Sequence, residues 1–176
     1  MYPVVRLIAS SLMATRKPKL EPEGVSEMTF YCRPWDLDMF FEMNNGRVLT
    51  LFDLSRFDLS IRTGFAKALF DNKWGLAVAG STIQYRKRVR LFNKVTMRSQ
   101  VIGLDEKWFF VAQSMWVRGK PTSAALLRTC VTSSKGTVPT REVMDAMNIE
   151  SFAPEMPEWA KDWEKMDKSR PWPPNP

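Results

Sequence analysis

The segment NNGRVLTLFDLSRFDLSIRTG, residues 44–64, predicts one helix that is apolar around most of its circumference. Asn44 can cap its start, because an asparagine side chain accepts a hydrogen bond from a backbone N–H in the first turn. Gly64 fits the left-handed position just past its end. Apolar side chains recur at helical spacing in two stripes, so we expect other elements to enclose the helix. The stripes are Val48, Leu49, Leu51, Phe52 and Leu59, and then Leu54, Phe57 and Ile61.

Extended segments on both sides of this helix indicate the rest of the fold. Residues 27–33 are rich in β-forming side chains. Short connections between the strands that follow the helix imply an antiparallel meander. The simplest way to bury the helix is an α+β fold, in which a curved antiparallel sheet wraps around it. The later strands are predicted at residues 74–90, 94–104, 107–118 and 122–134.

Within the first of these later strands, Gly80 predicts a bulge or a close backbone approach. Asp58 and Arg62 are spaced to form an ion pair across one turn of the central helix. Each of these predictions concerns a single contact and can be compared directly with the structure.

The chain is organised as one domain with two extensions. Residues 26–135 carry the helix and the strands, and 176 residues are enough to bury a substantial core. Residues 1–25 form an N-terminal arm. Residues 136–176 hold a short helical segment and a tail that contains Trp159, Trp163 and Trp172. Prolines in the tail argue against a regular element there, and we expect its last residues to be loosely held.

Composition restricts the function classes. The formal net charge of +7 suits nucleic acid, an anionic membrane surface or a phosphate-bearing small molecule, but no aromatic–basic motif supports nucleic acid. The sequence has no histidine, which excludes Ser-His-Asp and Cys-His catalysis and most zinc sites, so we expect no metal. Cys32 and Cys130 lie in unrelated segments, which favours two buried thiols in a cytoplasmic protein over a disulfide.

The N-terminal arm contains an apolar run of about a dozen residues that Arg6 interrupts. A membrane-spanning helix needs roughly 20 apolar residues, and a signal peptide has a cleaner apolar centre. We therefore interpret the arm as a short amphipathic element that docks on the domain. A helix that lies on a membrane surface is the less favoured alternative.

The loop RPWDLDMFFEMNN, residues 33–45, places Asp36 and Asp38 beside Phe40 and Phe41. Two acids in this pattern are explained either by local turn chemistry or by a carboxylate held in a partly apolar pocket. A carboxylate among Phe40, Phe41 and Met43 would be partly removed from water. Asp36 is better explained as a structural acid that holds the loop.

This segment resembles the hotdog-fold acyl-CoA thioesterases of the 4-hydroxybenzoyl-CoA thioesterase type. The shared pattern is D-x-D, five residues, and N-N at the start of the central helix, here from Asp36 to Asn45. The helix sequence and YRKRVRLFNKV, residues 85–95, are most similar to the branch called thioesterase superfamily member six. The resemblance covers residues 28–134. It implies a homodimer whose sheets join edge to edge, with active sites at the subunit interface and pairing into tetramers left open.

The resemblance also implies roles for individual residues. Asp38 would be the catalytic carboxylate, acting as nucleophile on the thioester carbonyl or as general base for water. The backbone N–H of Asn45 would polarise the thioester oxygen, which suits the unpaired amides of a helix N-terminus. Many relatives have Gly-His where this chain has Phe41 and Glu42, and both residues are candidates for the substrate pocket.

Arg86, Arg88 and Arg90 alternate along the first of the later strands, so they would share one face of that strand. Arginine binds phosphate groups in a bidentate manner, and these three could hold the phosphates of coenzyme A. The ordinary alternative is a charged strand that discourages edge-to-edge aggregation. The run Trp108, Phe109 and Phe110 is better explained as core and interface than as an acyl pocket.

The resemblance therefore implies a hydrolase of acyl-CoA or a related acyl thioester. It would need no cofactor other than the coenzyme A that forms part of its substrate. A different class remains open, a hotdog protein that binds acyl thioesters or lipids without hydrolysis, because Phe41 and Glu42 depart from the family pattern.

Overall fold

The computed structural model describes residues 3–171 and residue 173, and it has an α+β architecture. The prediction about Trp172 and the last residues, 174–176, lies outside the described residues. Five α-helices occur in the described part: α1 Val4–Ala14, α2 Asn45–Arg62, α3 Phe65–Asp71, α4 Thr140–Ala146 and α5 Glu158–Ser169. Six strands accompany them: β1 Ser26–Tyr31, β2 Gly75–Tyr85, β3 Lys94–Leu104, β4 Phe109–Val117, β5 Lys120–Ser133 and β6 Gly136–Val138.

The strands form one antiparallel sheet in the order β1-β3-β4-β5-β2, with β6 paired to the end of β5. The predicted meander is correct for β3, β4 and β5 but wrong for β2, which pairs with β5 rather than with β3. Consequently, residues 86–93 do not form a hairpin and instead connect two strands that are not neighbours. The predicted extension of this strand to residue 90 is also wrong, because β2 ends at Tyr85.

The central helix α2 forms as its sequence predicts. The Asn44 side chain accepts a hydrogen bond from the Arg47 amide at 3.2 Å, and Gly64 follows the helix at φ +83°. One side of α2 is buried against the sheet, and the core there includes Leu51, Phe52 and Leu54. The prediction that other elements enclose the whole of α2 was wrong, because Phe57 is 44% exposed and lies beside the edge strand β2.

The C-terminal residues correct the prediction that prolines prevent a regular element there. Pro157 stands at the start of α5, a position where the fixed φ of proline suits a helix. Arg128 on β5 lies between the rings of Trp108 and Trp163 and pairs with Asp167 at 2.9 Å. These contacts hold α5 against the outer face of the sheet.

The structure confirms the predicted bulge at Gly80, and the atoms that approach this residue closely belong to side chains rather than to another backbone. It lies at a register shift between β2 and β5, where the pairing passes from Val78 to Gly80. A Cβ atom added to Gly80 would lie 3.2 Å from Asp167 and 3.4 Å from Trp163, so α5 closely approaches this point.

Three further predictions can be compared with the structure. Cys32 and Cys130 are both buried and free, as expected. Asp58 pairs with Arg62 at 3.5 Å and also with Lys17 at 2.7 Å. Among the described residues, no helix is long and apolar enough to cross a membrane.

Candidate active site

The loop between β1 and α2 folds around the Asp38 carboxylate. Oxygen Oδ1 of Asp38 accepts hydrogen bonds from the amides of Phe40 at 2.8 Å and Glu42 at 3.3 Å. The Asp38 amide donates to the Glu42 carbonyl at 2.8 Å, which closes the turn. Phe41 takes φ +59°, a left-handed conformation that glycine adopts without steric penalty. Phe41 therefore stands at a backbone position that suits the glycine of the family pattern.

Asp36 lies fully buried beneath this turn and is structural, as predicted. Its carboxylate pairs with Arg6 of α1 at 3.0 Å and with Arg47 of α2 at 3.3 Å. The Arg33 amide donates to the same carboxylate at 3.0 Å. A buried carboxylate needs paired charges and hydrogen bonds, and Asp36 has both. It thereby connects the N-terminal arm, the loop and the central helix.

Cys32, beside Asp36, is not a candidate nucleophile. Burial, reinforced by the negative charge of Asp36 and opposed by Arg6, raises the pKa of the Cys32 thiol to about 11. The reactive form of cysteine is the thiolate, so at neutral pH this side chain stays protonated and inert.

The start of α2 lies against the end of β2. The Tyr85 hydroxyl donates a hydrogen bond to the Asn45 carbonyl at 3.2 Å. Burial raises the pKa of this phenol, which keeps it protonated as a donor at neutral pH. Asn45 is the first residue of α2, and the amides of the first helical turn have no intrahelical partner. The positive end of the helix dipole is at the same place.

Residues 86–93 cross this helix start on their way from β2 to β3. The Met43 amide donates to the Val89 carbonyl at 2.8 Å, and the Cys32 amide donates to the Asn93 carbonyl at 3.0 Å. The crossing segment borders a cleft of about 230 Å³. The cleft is lined by Glu42, Met43, Asn45, Val48, Tyr85, Arg86, Lys87, Arg88, Val89 and Ser123.

The structure brings four of the predicted site residues together around this cleft, namely Glu42, Asn45, Arg86 and Arg88. Arg88 pairs with Glu42 at 3.0 Å, and Arg86 donates to Gln84 at 3.2 Å. Their expected arrangement on one strand face was wrong, because residues 86–90 follow the strand instead of belonging to it. Arg90 forms a backbone bridge to Glu42 but does not line the cleft.

Asp38 and Phe41 stand apart from the cleft lining within one subunit. The expectation of an apolar pocket around Asp38 is wrong for the isolated chain, because Phe40 and Phe41 are 72% and 78% exposed. The turn holds the carboxylate half-exposed beside these two rings.

A buried polar network behind the helix was not predicted. Gln113 on β4 donates to the Phe52 carbonyl at 2.9 Å and to Ser99 at 2.7 Å, and it accepts from Arg56 at 2.6 Å. Arg56 also pairs with Asp53. The sequence carried a signal for this network, since Gln113 is a polar residue on the strand face that otherwise holds apolar Val111 and Met115.

An apolar cavity lies on the far side of this network. It has a volume of about 60 Å³ and is lined by parts of α2, α4 and the inner sheet face, including Phe109. Arg56, Ser60 and Leu76 border both this cavity and a groove of about 390 Å³ along α2 and β2. Phe109 and Phe110 are core residues, as predicted, and Phe109 also reaches this cavity.

The donor set at the site does not suit a metal. No group of three or more acidic or cysteine side chains with metal-binding geometry occurs within residues 3–171 and 173.

Known proteins share this architecture. The crystal structure of YbaW, a probable thioesterase from Escherichia coli, matches with a TM-score of 0.65 at 20% identity, covering 69% of this chain and 96% of that one. A DHNA-CoA thioesterase from Staphylococcus aureus matches with a TM-score of 0.61 at 13% identity, covering 82% and 91%. At these identities the matches show the fold, which is the hotdog fold.

Sequence similarity places the chain more narrowly. It is 31% identical to protein THEM6 of Xenopus laevis over 136 residues, which confirms the resemblance to the member-six branch. The match covers 77% of this chain and 65% of that protein, so the chain spans slightly less than two thirds of this relative. The family model of the thioesterase-like superfamily matches residues 32–163, more than half of the chain. By this match, the chain belongs to the thioesterase-like superfamily.

Proposed function

We propose that this protein hydrolyses acyl-CoA or related acyl thioesters at the cleft beside the N-terminus of α2. The observation that carries the proposal is the proximity of three features, of which two line the cleft and the third, the turn at Asp38, reaches the cleft through Glu42. They are the first turn of an 18-residue helix, a turn built on a carboxylate, and a segment rich in arginine. Each supplies one requirement of thioester hydrolysis.

The helix start supplies stabilisation of negative charge. When a nucleophile adds to the thioester carbonyl, its oxygen becomes an oxyanion. We assign the donor role to the Asn45 amide; its position in the first turn of α2 and the favourable sign of the helix dipole support this assignment. Tyr85 supports the amide indirectly, because its hydrogen bond to the Asn45 carbonyl holds this turn in place.

Asp38 supplies the base or nucleophile. Among the described residues, both hydrogen bonds to its carboxylate fall on Oδ1, which leaves Oδ2 for a water molecule or for the thioester carbon. As a base, Asp38 takes a proton from water as the oxygen of water bonds to the carbonyl carbon. The carbon–sulfur bond then breaks, and the thiol leaves with a proton. As a nucleophile, Asp38 bonds to the carbonyl carbon, the carbon–sulfur bond breaks and the thiolate leaves. Water then hydrolyses the resulting mixed anhydride, which releases the free acid and regenerates the Asp38 carboxylate.

The crossing segment supplies cations for the phosphate groups of coenzyme A. Arg86, Lys87 and Arg88 line the cleft, and all three are exposed. Arg88 already pairs with Glu42, so a bound phosphate would compete with that carboxylate. Arg90, two residues after Arg88, would extend the same positive electrostatic potential to the edge of the site.

A homodimer would complete the site. The strand β2 pairs with β5 on one side, and Leu76 and Val78 on it are exposed together with Phe57 of α2. Unpaired sheet edges with apolar side chains favour pairing with another strand. In a dimer joined at β2, the exposed Phe40 and Phe41 would gain a covering surface, and Asp38 would face a cleft shared by two subunits.

The test is thiol release from a panel of aliphatic and aromatic acyl-CoAs by the wild type and by Asp38→Asn. We expect release by the wild type and a loss of at least about a hundredfold in the variant, the usual scale for an acid–base group. Asp105→Asn is the matched control, because Asp105 is likewise half-buried and caps two amides of a turn. This control should retain full activity.

Full activity in folded Asp38→Asn would overturn the assigned role of Asp38. Retained acyl-CoA binding with no release by the wild type would favour the second candidate function, binding without hydrolysis. The Glu42–Arg88 ion pair motivates this second candidate, since it places a carboxylate where many relatives have histidine. Calorimetry with a non-hydrolysable thioether analogue of acyl-CoA would separate loss of binding from loss of chemistry.

A further inference from the structure

The N-terminal helix α1 presents its apolar side to solvent. At 100° per residue, one half of its circumference holds Val4, Val5, Ile8, Ala9, Leu12 and Met13. All six are exposed, with Val5 at 83%, Ile8 at 56% and Leu12 at 60%. A surface helix of a globular protein normally shows the reverse arrangement, with its apolar side toward the core.

The opposite side of α1 is fixed to the domain by Arg6, the one charged residue of this helix. Arg6 donates to the two oxygens of buried Asp36 at 3.3 and 3.0 Å, and its guanidinium lies 5.4 Å from the Phe30 ring centroid. Ser10 and Ala14 are buried on the same side. Rolling the helix to cover its apolar half would break the Arg6–Asp36 pair, so the outward orientation is maintained.

Cations border this apolar half. The first twenty residues carry Arg6, Arg16, Lys17 and Lys19, and the first acidic residue is Glu21. Arg16 and Lys19 are exposed directly after the helix, while Lys17 pairs with Asp58. An apolar helix face followed by exposed cations complements an anionic bilayer, which attracts Lys and Arg and accepts apolar side chains below its headgroups.

A second copy of this chain fits the same face less well. A helix of 11 residues is about 16 Å long, so its apolar half offers roughly 250–300 Å². A stable protein interface buries about 800 Å² on each partner. Two copies would also bring two groups of like charges toward one interface. A bilayer has neither restriction.

We propose that α1 docks this protein on anionic membrane surfaces, lying in the plane of the interface with its apolar half among the lipids. The docking is reversible and weakens with salt, because the helix is short and part of the attraction is electrostatic. This inference is independent of the proposed hydrolysis, since no residue of α1 lines the cleft.

The experiment is flotation with vesicles of phosphatidylglycerol and phosphatidylcholine in equal parts, at low salt. The wild type should float with the vesicles, and Ile8→Ser/Leu12→Ser should lose this flotation without a change in net charge. The matched control is Phe70→Ser/Met166→Ser, which removes two apolar side chains outside α1 that are exposed to a greater extent than Ile8 and Leu12. This control should float like the wild type.

A second pair of variants tests the local charge. Arg16→Gln/Lys19→Gln should weaken flotation, whereas Lys120→Gln/Lys135→Gln, with the same loss of charge at exposed positions outside α1, should not. Pure phosphatidylcholine vesicles should capture little protein. Circular dichroism and thermal unfolding establish that each variant is folded.

Three results would overturn the proposal. The first is a wild type that stays with the unbound fraction. The second is undiminished flotation of Ile8→Ser/Leu12→Ser. The third is a pair of observations: the wild type does not float, and Ile8→Ser/Leu12→Ser sediments with half the mass of the wild type. That pair would assign the face to a second copy of the chain.

Discussion

Asp36 and Asp38 lie two residues apart in one loop, yet they have different surroundings. Asp36 is buried between two guanidinium groups, and Asp38 is half-exposed with two amides on a single oxygen. A buried charge that is fully paired stabilises structure and is poorly suited to chemistry. Under the proposed function, Asp36 would hold the loop in place and Asp38, which has an accessible oxygen, would act on the substrate.

Phe41 offers a test of backbone strain at the same turn. At φ +59°, an alanine is disfavoured relative to glycine by about 1 kcal/mol. Both Phe41→Gly and Phe41→Ala remove the same ring, so they differ in the backbone preference of the new residue. We expect the urea concentration at the unfolding midpoint to be higher for Phe41→Gly. At Phe40, which is not among the residues with positive φ, the order should reverse. Equal midpoints for the Phe41 pair would show that the turn relaxes in solution.

At the scale of elements, α5 packs over Gly80 of β2 and leaves little space there for a side chain. A larger side chain at this position would meet Trp163 and Asp167. We expect Gly80→Val to destabilise the protein by about 1–3 kcal/mol, the usual cost of overpacking, and to release α5 from the sheet. Faster tryptic cleavage at Lys161 and Lys165 would report the release. Ala79→Val, at an exposed neighbour, should leave both properties unchanged.

The elements show which parts of the fold the sequence can predict. The limits of α2 were predictable because Asn44 and Gly64 act locally, within one helical turn. The pairing of β2 with β5 was not predictable, because it depends on residues about fifty positions away in the chain. The prediction of an irregular tail is wrong for α5 because a proline disrupts a helix only in its interior. Pro157 stands at the start of α5, where the fixed φ of proline is favourable.

The same reasoning explains the candidate site. Asn45 and the two acids were found from a contiguous motif, and Arg86 and Arg88 were found from their charge. Their convergence could not be predicted, because it depends on how residues 86–93 cross the start of α2. The network around Gln113 joins two elements far apart in the chain, so only the folded structure reveals it.

At the scale of the whole molecule, the proposed dimer makes one prediction. The wild type should sediment with twice the chain mass, and Val78→Lys should shift it toward the monomer, because a lysine at a sheet edge opposes strand pairing. Thioester hydrolysis should fall with the dimer if two subunits form each site. Val25→Lys is the control, since Val25 is similarly exposed and lies beside a different face. A dimer that survives Val78→Lys would assign the contact to another surface.

The pairing of β2 with β5 has a consequence for biosynthesis. A nascent chain makes β2 long before β5, and the backbone groups of β2 that pair with β5 stay unpaired until the partner residues, up to Thr132, have left the ribosome. During that interval β2 can associate with other unfolded chains, a hazard shared by strands with distant partners. The crossing segment takes its position only when both strands it connects are in the sheet. The arginine-lined cleft therefore forms among the last features, and a chain that stalls early has no site.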